Sequence, residues 1–209
     1  PDVIATACGP ANGRSLLRVI GAGLLFALAL AAGCNDGVPM PPGSLPFNFH
    51  VVSDGRVYRS AQPTAATLLD AITQLQLKTV LNLRGENPDE TWWQNEDAVC
   101  RSTGVTLINL PMSANELPSR ETLLALYDAF AGARYPMLIH CQSGADRTGA
   151  AAAIWRMMNG EPREAAQAEL SPAYFHYEAF TPAMDLLVAV FQPDRNWIAN
   201  VYDPDTIGR

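Results

Sequence analysis

Five short runs of apolar and β-branched residues, four of them followed by a segment of helical spacing, restrict this chain to an α/β fold. Residues 49–52 and 57–59 flank Ser53, Asp54, Gly55 and Arg56 and read as a hairpin. Residues 78–83 (KTVLNL), 105–110 (VTLINL) and 136–140 (PMLIH) read as further strands. Between them, Thr64 caps a helix with Leu68, Leu69, Ile72 and Leu75 on one face, and a second helix over 88–103 stops at Gly104. Ser119 opens a third, with Leu123, Leu124, Tyr127 and Phe130 on one side, and helices are expected over 148–159, 162–170 and 182–191. Strands joined through helices predict a mostly parallel central sheet flanked by helices. The stretch from Arg195 to Arg209 shows no usable pattern.

The 209 residues suffice for one domain of ordinary size, and the organisation is legible at the N-terminal end. Arg14 and Arg18 precede fourteen uncharged residues, 19–32 (VIGAGLLFALALAA), then Gly33 and Cys34, which reads as an export signal over 1–33. Leu30 to Cys34 resembles a bacterial lipobox, with Ala31 where that motif prefers Leu; this implies a lipidated Cys34 and an exported bacterial protein held at the cell envelope or in the periplasm. Residues 34–46, rich in Gly and Pro, read as a flexible tether. The expected domain then runs over 47–192, with a tail over 193–209. A net charge of −7 argues against nonspecific binding of nucleic acid, which needs a basic face. An anion site in this chain must be built from a few placed groups.

Residues 140–149 (HCQSGADRTG) supply those groups. A thiol ends a buried strand, five residues follow, then an arginine, and a helix begins. Ligands of α/β sheets bind at the carboxyl ends of strands, which is where Cys141 falls. A loop wrapping from strand to helix turns backbone N–H groups toward its own centre, and the helix N-terminus adds positive potential. Gly144 allows backbone angles that a side chain resists. The planar fork of Arg147 holds two oxygens of a phosphate. The same field favours the thiolate of Cys141, giving a sulfur nucleophile aimed at a bound anion.

With these residues the chain resembles the cysteine-based protein tyrosine phosphatase superfamily, whose signature is His-Cys, five residues, Arg, then Ser or Thr: here His140, Cys141, Arg147 and Thr148. The form GADRTG over 144–149 resembles the bacterial dual-specificity-like branch. Residues 57–63 (VYRSAQP), 79–84 (TVLNLR) and 108–112 (INLPM) are similar to it in the same order, so the resemblance spans about 47–191. It implies a dual-specificity phosphatase-like fold and a phosphocysteine on Cys141. It also implies phosphate binding by the amides of Gln142, Ser143, Gly144, Ala145, Asp146 and Arg147, with the Arg147 side chain. Thr148 would assist departure of the sulfur and His140 would orient the loop. Arg84 and Arg59 would line the site or brace the loop. No metal or other cofactor is implied.

The proton donor to the leaving oxygen has two candidates. The family commonly uses an Asp on a separate loop, but the loop after Met112 offers only Glu116. Asp146 is the other, at a position that myotubularin-type lipid phosphatases are thought to use. Trp92, Trp93 and His176 read as packing residues. No base stands among Gln142, Ser143, Ala145 and Asp146, which favours a phosphorylated protein or small phosphomonoester over an inositol phosphate or phosphoinositide. A rhodanese-like sulfurtransferase and an inactive phosphate-binding module are the alternatives of other classes.

Overall fold

A computed structural model describes residues 44–207. The export signal, the lipidation expected at Cys34 and the tether up to residue 43 lie outside the described residues. Two strands, β1 (His50–Ser53) and β2 (Val57–Ser60), form the expected hairpin, and β3 (Thr79–Asn82), β4 (Thr106–Asn109) and β5 (Met137–His140) complete a sheet of order β1-β2-β5-β3-β4. Only the β1–β2 pair is antiparallel. All residues of β2, β3 and β5 are buried, as central parallel strands require, whereas the edge strands β1 and β4 are partly open.

Side-chain alternation sorts these strands onto two faces. Tyr58, Val80 and Leu138 pack with Leu68, Ala71, Ile72, Leu77 and Cys100 under α1 (Ala65–Leu75) and α2 (Thr91–Thr103). Val57, Leu81, Met137 and Ile139 face the opposite layer, formed by α3 (Arg120–Gly132), α4 (Asp146–Met158), α6 (Pro182–Val190) and α7 (Arg195–Asn200). Caps follow the sequence. Thr64 and Thr67 cap each other at the start of α1, Ser119 accepts from the Thr122 amide, and Gly104 ends α2 at φ +70°.

Two expectations are corrected. The single helix over 162–170 is a short α5 (Arg163–Ala166) followed by a 3₁₀ turn, Gln167–Glu169, because the Glu169 carboxylate turns into the core to meet Arg59 and Arg156. The stretch from Arg195, read as a tail without pattern, opens with the helix α7. Asp194 caps α7, Ile198 and Tyr202 are fully buried, and the Tyr202 hydroxyl donates to Pro118 O at 2.8 Å.

Cys100 and Cys141 are both free thiols, packed on opposite faces of the sheet. Burial, reinforced by Glu96 and Asp97, pushes the Cys100 thiol up to about 12. Because the folded value exceeds the unfolded one, the contribution is complete below about pH 8.5 and is lost as pH rises toward 12. Urea unfolding between pH 8 and 10.5 is expected to show stability falling by up to about 1.4 kcal/mol per pH unit, with a flatter profile for Cys100→Val.

Candidate active site

Registry brings the carboxyl ends of four strands to one line. Ser60 and Asn82 both pair with His140, and Asn109 pairs with Asn82. Cys141 follows immediately, 1% exposed, at the centre of that edge. The loop of residues 142–145 leads directly into α4.

The direction of the loop amides follows from where its carbonyls go. Gln142 O accepts from the Gln62 amide at 3.1 Å, and Ser143 O from Asn48 Nδ2 at 3.0 Å. Gly144 O and Ala145 O accept from Arg59 Nη2 at 2.7 and 3.2 Å, and Ala145 O also takes the Gly149 amide. Four successive carbonyls thus turn outward, and the intervening N–H groups turn the other way. Of the amides from Gln142 to Arg147, only that of Ala145 meets a protein acceptor among the described residues, Ser143 Oγ at 3.4 Å. Gly144 is required twice over. Its φ is +73°, and a Cβ would lie 2.5 Å from Ala61 N and Ser60 C. A Cβ on Gly149 would meet Glu169 O at 2.7 Å, so both glycines permit close backbone approach.

Arg147 donates from Nη1 to Leu83 O and Met112 O, each at 3.3 Å, which orients its fork from behind. Its Nε is buried without a protein partner among the described residues, as is the Thr148 hydroxyl. Both are polar groups left for something that enters the loop. Arg84 stands nearby, bonded to Gln62 Oε1 at 3.0 Å and stacked on Trp92 with its guanidinium carbon 3.4 Å from the ring centroid. Burial, then the like charge of Arg147, draws the Arg84 guanidinium down from its ordinary value, while Glu96, Cys141 and Glu90 act in the opposite direction. Asn82 sets this corner, accepting from the Arg84 amide and donating to Gly85 O and Asn109 Oδ1, each at 2.9 Å.

His140 lies under the loop, with Nε2 2.6 Å from Glu96 Oε1 and both side chains fully buried. Gln62 reaches the other Glu96 oxygen at 3.4 Å, so one buried carboxylate couples His140 to the residue that holds Arg84 and the loop.

The two proton-donor candidates part company. Asp146 opens α4, and its Oδ1 accepts from the Thr181 hydroxyl and contacts His176 Nδ1, each at 2.8 Å. Glu116 is exposed and lines a cleft of about 600 Å³ with Leu117, Ser119, Pro204 and Asp205; the described contacts do not bring it to Cys141. A second cleft, about 650 Å³, borders Asn115, Gln167, Glu178 and Asp185 and also excludes Cys141. The shaped amides and the arginine, not cavity size, locate the site.

Three residues are more than the sequence indicated, and Arg59 takes one of its two expected roles. Arg59 is a fully buried brace beneath the loop, Glu169 anchors it, and Glu96 holds His140. His176, expected as packing, joins Asp146 to Asp185. The signal for Arg59 was its place in the VYRSAQP segment, whereas nothing in the sequence marked Glu96 or Glu169. Trp93 is core and Trp92 is rim, as expected.

A thiol at the end of the central parallel strand, enclosed by inward amides and followed by arginine at a helix start, defines the cysteine-based phosphatases of dual-specificity type. The chain matches the family described as "DSP-PTPase phosphatase fused to NAD+ Kinase" over residues 48–180, more than half its length, and it belongs to that family. The dual specificity protein phosphatase TpbA of Pseudomonas aeruginosa is 31% identical over 121 residues, 57% of this chain and 51% of TpbA. The inositol diphosphatase SIW14 of Saccharomyces cerevisiae is 36% identical over 110 residues, 50% of this chain and 37% of SIW14. The chain thus spans about half the length, or less, of these curated relatives. A crystal structure of a cysteine-to-serine variant of P. aeruginosa TpbA in complex with phosphotyrosine superposes with a TM-score of 0.57 at 25% identity, over 78% of this chain and 94% of that one.

Proposed function

We propose that this domain hydrolyses phosphate monoesters through a phosphocysteine intermediate, with phosphotyrosine or a related aryl phosphate as its substrate class. The observation that carries the reading is the outward turn of the carbonyls of Gln142, Ser143, Gly144 and Ala145, which commits the loop amides to one anion beside Cys141 and Arg147. These donors and the guanidinium hold the three equatorial oxygens and stabilise the charge that spreads over them in the transition state. The Cys141 sulfur attacks phosphorus, an S–P bond forms, and the P–O bond to the leaving group breaks as Asp146 passes a proton to that oxygen. Water then attacks phosphorus and returns a proton to Asp146. The S–P bond breaks with the Thr148 hydroxyl supporting the departing sulfur, and inorganic phosphate leaves.

Arg84 favours a second reading. It places another cation in the field of Arg147 and Cys141, which suits a substrate with two adjacent phosphates, and SIW14 is an inositol diphosphatase. A screen across phosphotyrosine and phosphoserine peptides, nucleotides, inositol phosphates and inositol diphosphates separates the two, with phosphate release and acid-quenched mass of the Cys141 peptide as readouts. Phosphotyrosine turnover at least about tenfold above the rest, with phosphate trapped on Cys141, is the expected result. Preference for inositol diphosphates selects the second reading. Persulfide transfer without phosphate release removes both.

We also infer export and tethering through a lipidated Cys34, supported by Arg14, Arg18, the uncharged run over 19–32 and the Gly/Pro-rich residues that follow. Among the described residues no helix is long and apolar enough to cross a membrane.

A further inference from the structure

One imidazole is buried between two carboxylates at the edge of the site. His176 is 2% exposed, with Nδ1 2.8 Å from Asp146 Oδ1 and Nε2 2.9 Å from Asp185 Oδ2. Three segments meet there. Asp146 is the first residue of α4, Asp185 lies in the first turn of α6, and His176 follows the 3₁₀ turn Pro172–Tyr174, its amide fixed on Ser171 O at 3.1 Å. Thr181 donates to the same Asp146 oxygen at 2.8 Å. Asp146 Oδ2 makes no hydrogen bond among the described residues.

This division of labour within one carboxyl group has a consequence for catalysis. An Asp on the first turn of a helix samples several rotamers, and a reacting atom displaced by about 1 Å can cost on the order of 100-fold in rate. Two partners on Oδ1 remove that freedom and leave Oδ2 as the exchangeable end. Asp185 in turn holds the imidazole from its far side, so the orientation is set by α6 rather than by the loop itself.

We propose that His176, seated by Asp185, is a positioning residue for Asp146, fixing its carboxyl through Oδ1 so that Oδ2 exchanges the proton with the leaving oxygen. The proposal rests on Asp146 being the proton donor. It is tested with phenyl phosphate, a poor leaving group, against 2,4-dinitrophenyl phosphate, an activated one. His176→Ala is expected to lower kcat/KM on phenyl phosphate about tenfold or more, with less than about a twofold change in kcat/KM on the activated ester. His176→Asn, whose amide N–H replaces Nδ1, is expected to restore most of that loss. The double variant with Asp146→Asn should be no slower than Asp146→Asn itself.

Equal losses on the two esters, or losses that add in the double variant, overturn the proposal, because a merely structural contact predicts both. If His176→Ala does not fold, His176→Leu, which keeps most of the buried volume but offers no polar atom to Asp146 Oδ1, carries the same comparison. Asp146→Asn without leaving-group dependence removes the proton-donor reading and the proposal with it. Asp146→Asn with that dependence, beside His176 variants without it, removes only the proposal.

Discussion

Cys141→Ser is expected to lower phosphate release by at least about 10⁴-fold while leaving the loop able to bind an oxyanion. The two effects separate because the groups that shape the loop do not include the sulfur. Its carbonyls are held by Gln62, Asn48 and Arg59, and Arg147 is held by Leu83 O and Met112 O. Serine occupies less space at a site 1% exposed, so a stability change of about 1 kcal/mol or less is expected. What disappears is the nucleophile: an alcohol in the same place neither ionises near neutrality nor leaves phosphorus readily. Calorimetric titration with vanadate or sulfate, beside kcat on an aryl phosphate, reads the two properties independently. Retention of more than about 1% of kcat would place the nucleophile elsewhere. Loss of both binding and turnover would mean that the sulfur shapes the loop as well as reacting.

The chain encodes its elements locally and much of its site non-locally. Thr64, Ser119 and Gly104 announce helix ends because a cap is a contact within three or four residues. The strands announce themselves by apolar runs, and the residues 140–149 announce a strand, an anion loop and a helix in one stretch. Nothing comparable marks Glu96. It stands between Asn95 and Asp97 on a helix, where a carboxylate is ordinarily solvated, and its burial against His140 depends on contact across 44 positions in sequence. Glu169 is a similar case, since its partner Arg59 is 110 residues away. Buried ionic pairs of this kind carry no periodic signature, because either partner alone would be costly to bury and only the fold supplies the other. His176 illustrates a third difficulty. Flanked by Phe175 and Tyr177 it reads as part of an aromatic cluster, yet those rings are half-exposed and the imidazole is the buried member. The α7 segment was obscured differently: Trp197, Ile198 and Tyr202 supply its core contacts, but six helical residues among prolines and acids are too few to show a period.

Arg59→Met is the substitution expected to cost most stability outside the reacting groups. The guanidinium is fully buried and donates to Glu169 O, Glu169 Oε2, Gly144 O and Ala145 O at 2.8, 2.6, 2.7 and 3.2 Å, under the Tyr174 ring. Methionine fills part of the volume but leaves two loop carbonyls poorly satisfied and one oxygen of a buried carboxylate without its cation. Arg156 remains on the other Glu169 oxygen at 2.7 Å, which moderates the penalty without removing it. Loss of one partner from such a pair costs about 3–5 kcal/mol. Because the same guanidinium turns the Gly144 and Ala145 carbonyls outward, its removal is also expected to lower kcat on the order of 100-fold in the molecules that remain folded. Glu169→Gln is expected to be milder on both counts, since Arg59 keeps its two loop carbonyls and glutamine still accepts a hydrogen bond. Arg59→Lys should fall between them, because one ammonium cannot reproduce a fork that reaches Glu169 and the loop together. Urea unfolding and kcat measured on the three variants order these effects. Arg59→Met within about 1 kcal/mol of the parent with unchanged kcat would show that the loop holds its amides inward by its own turn geometry, without the brace.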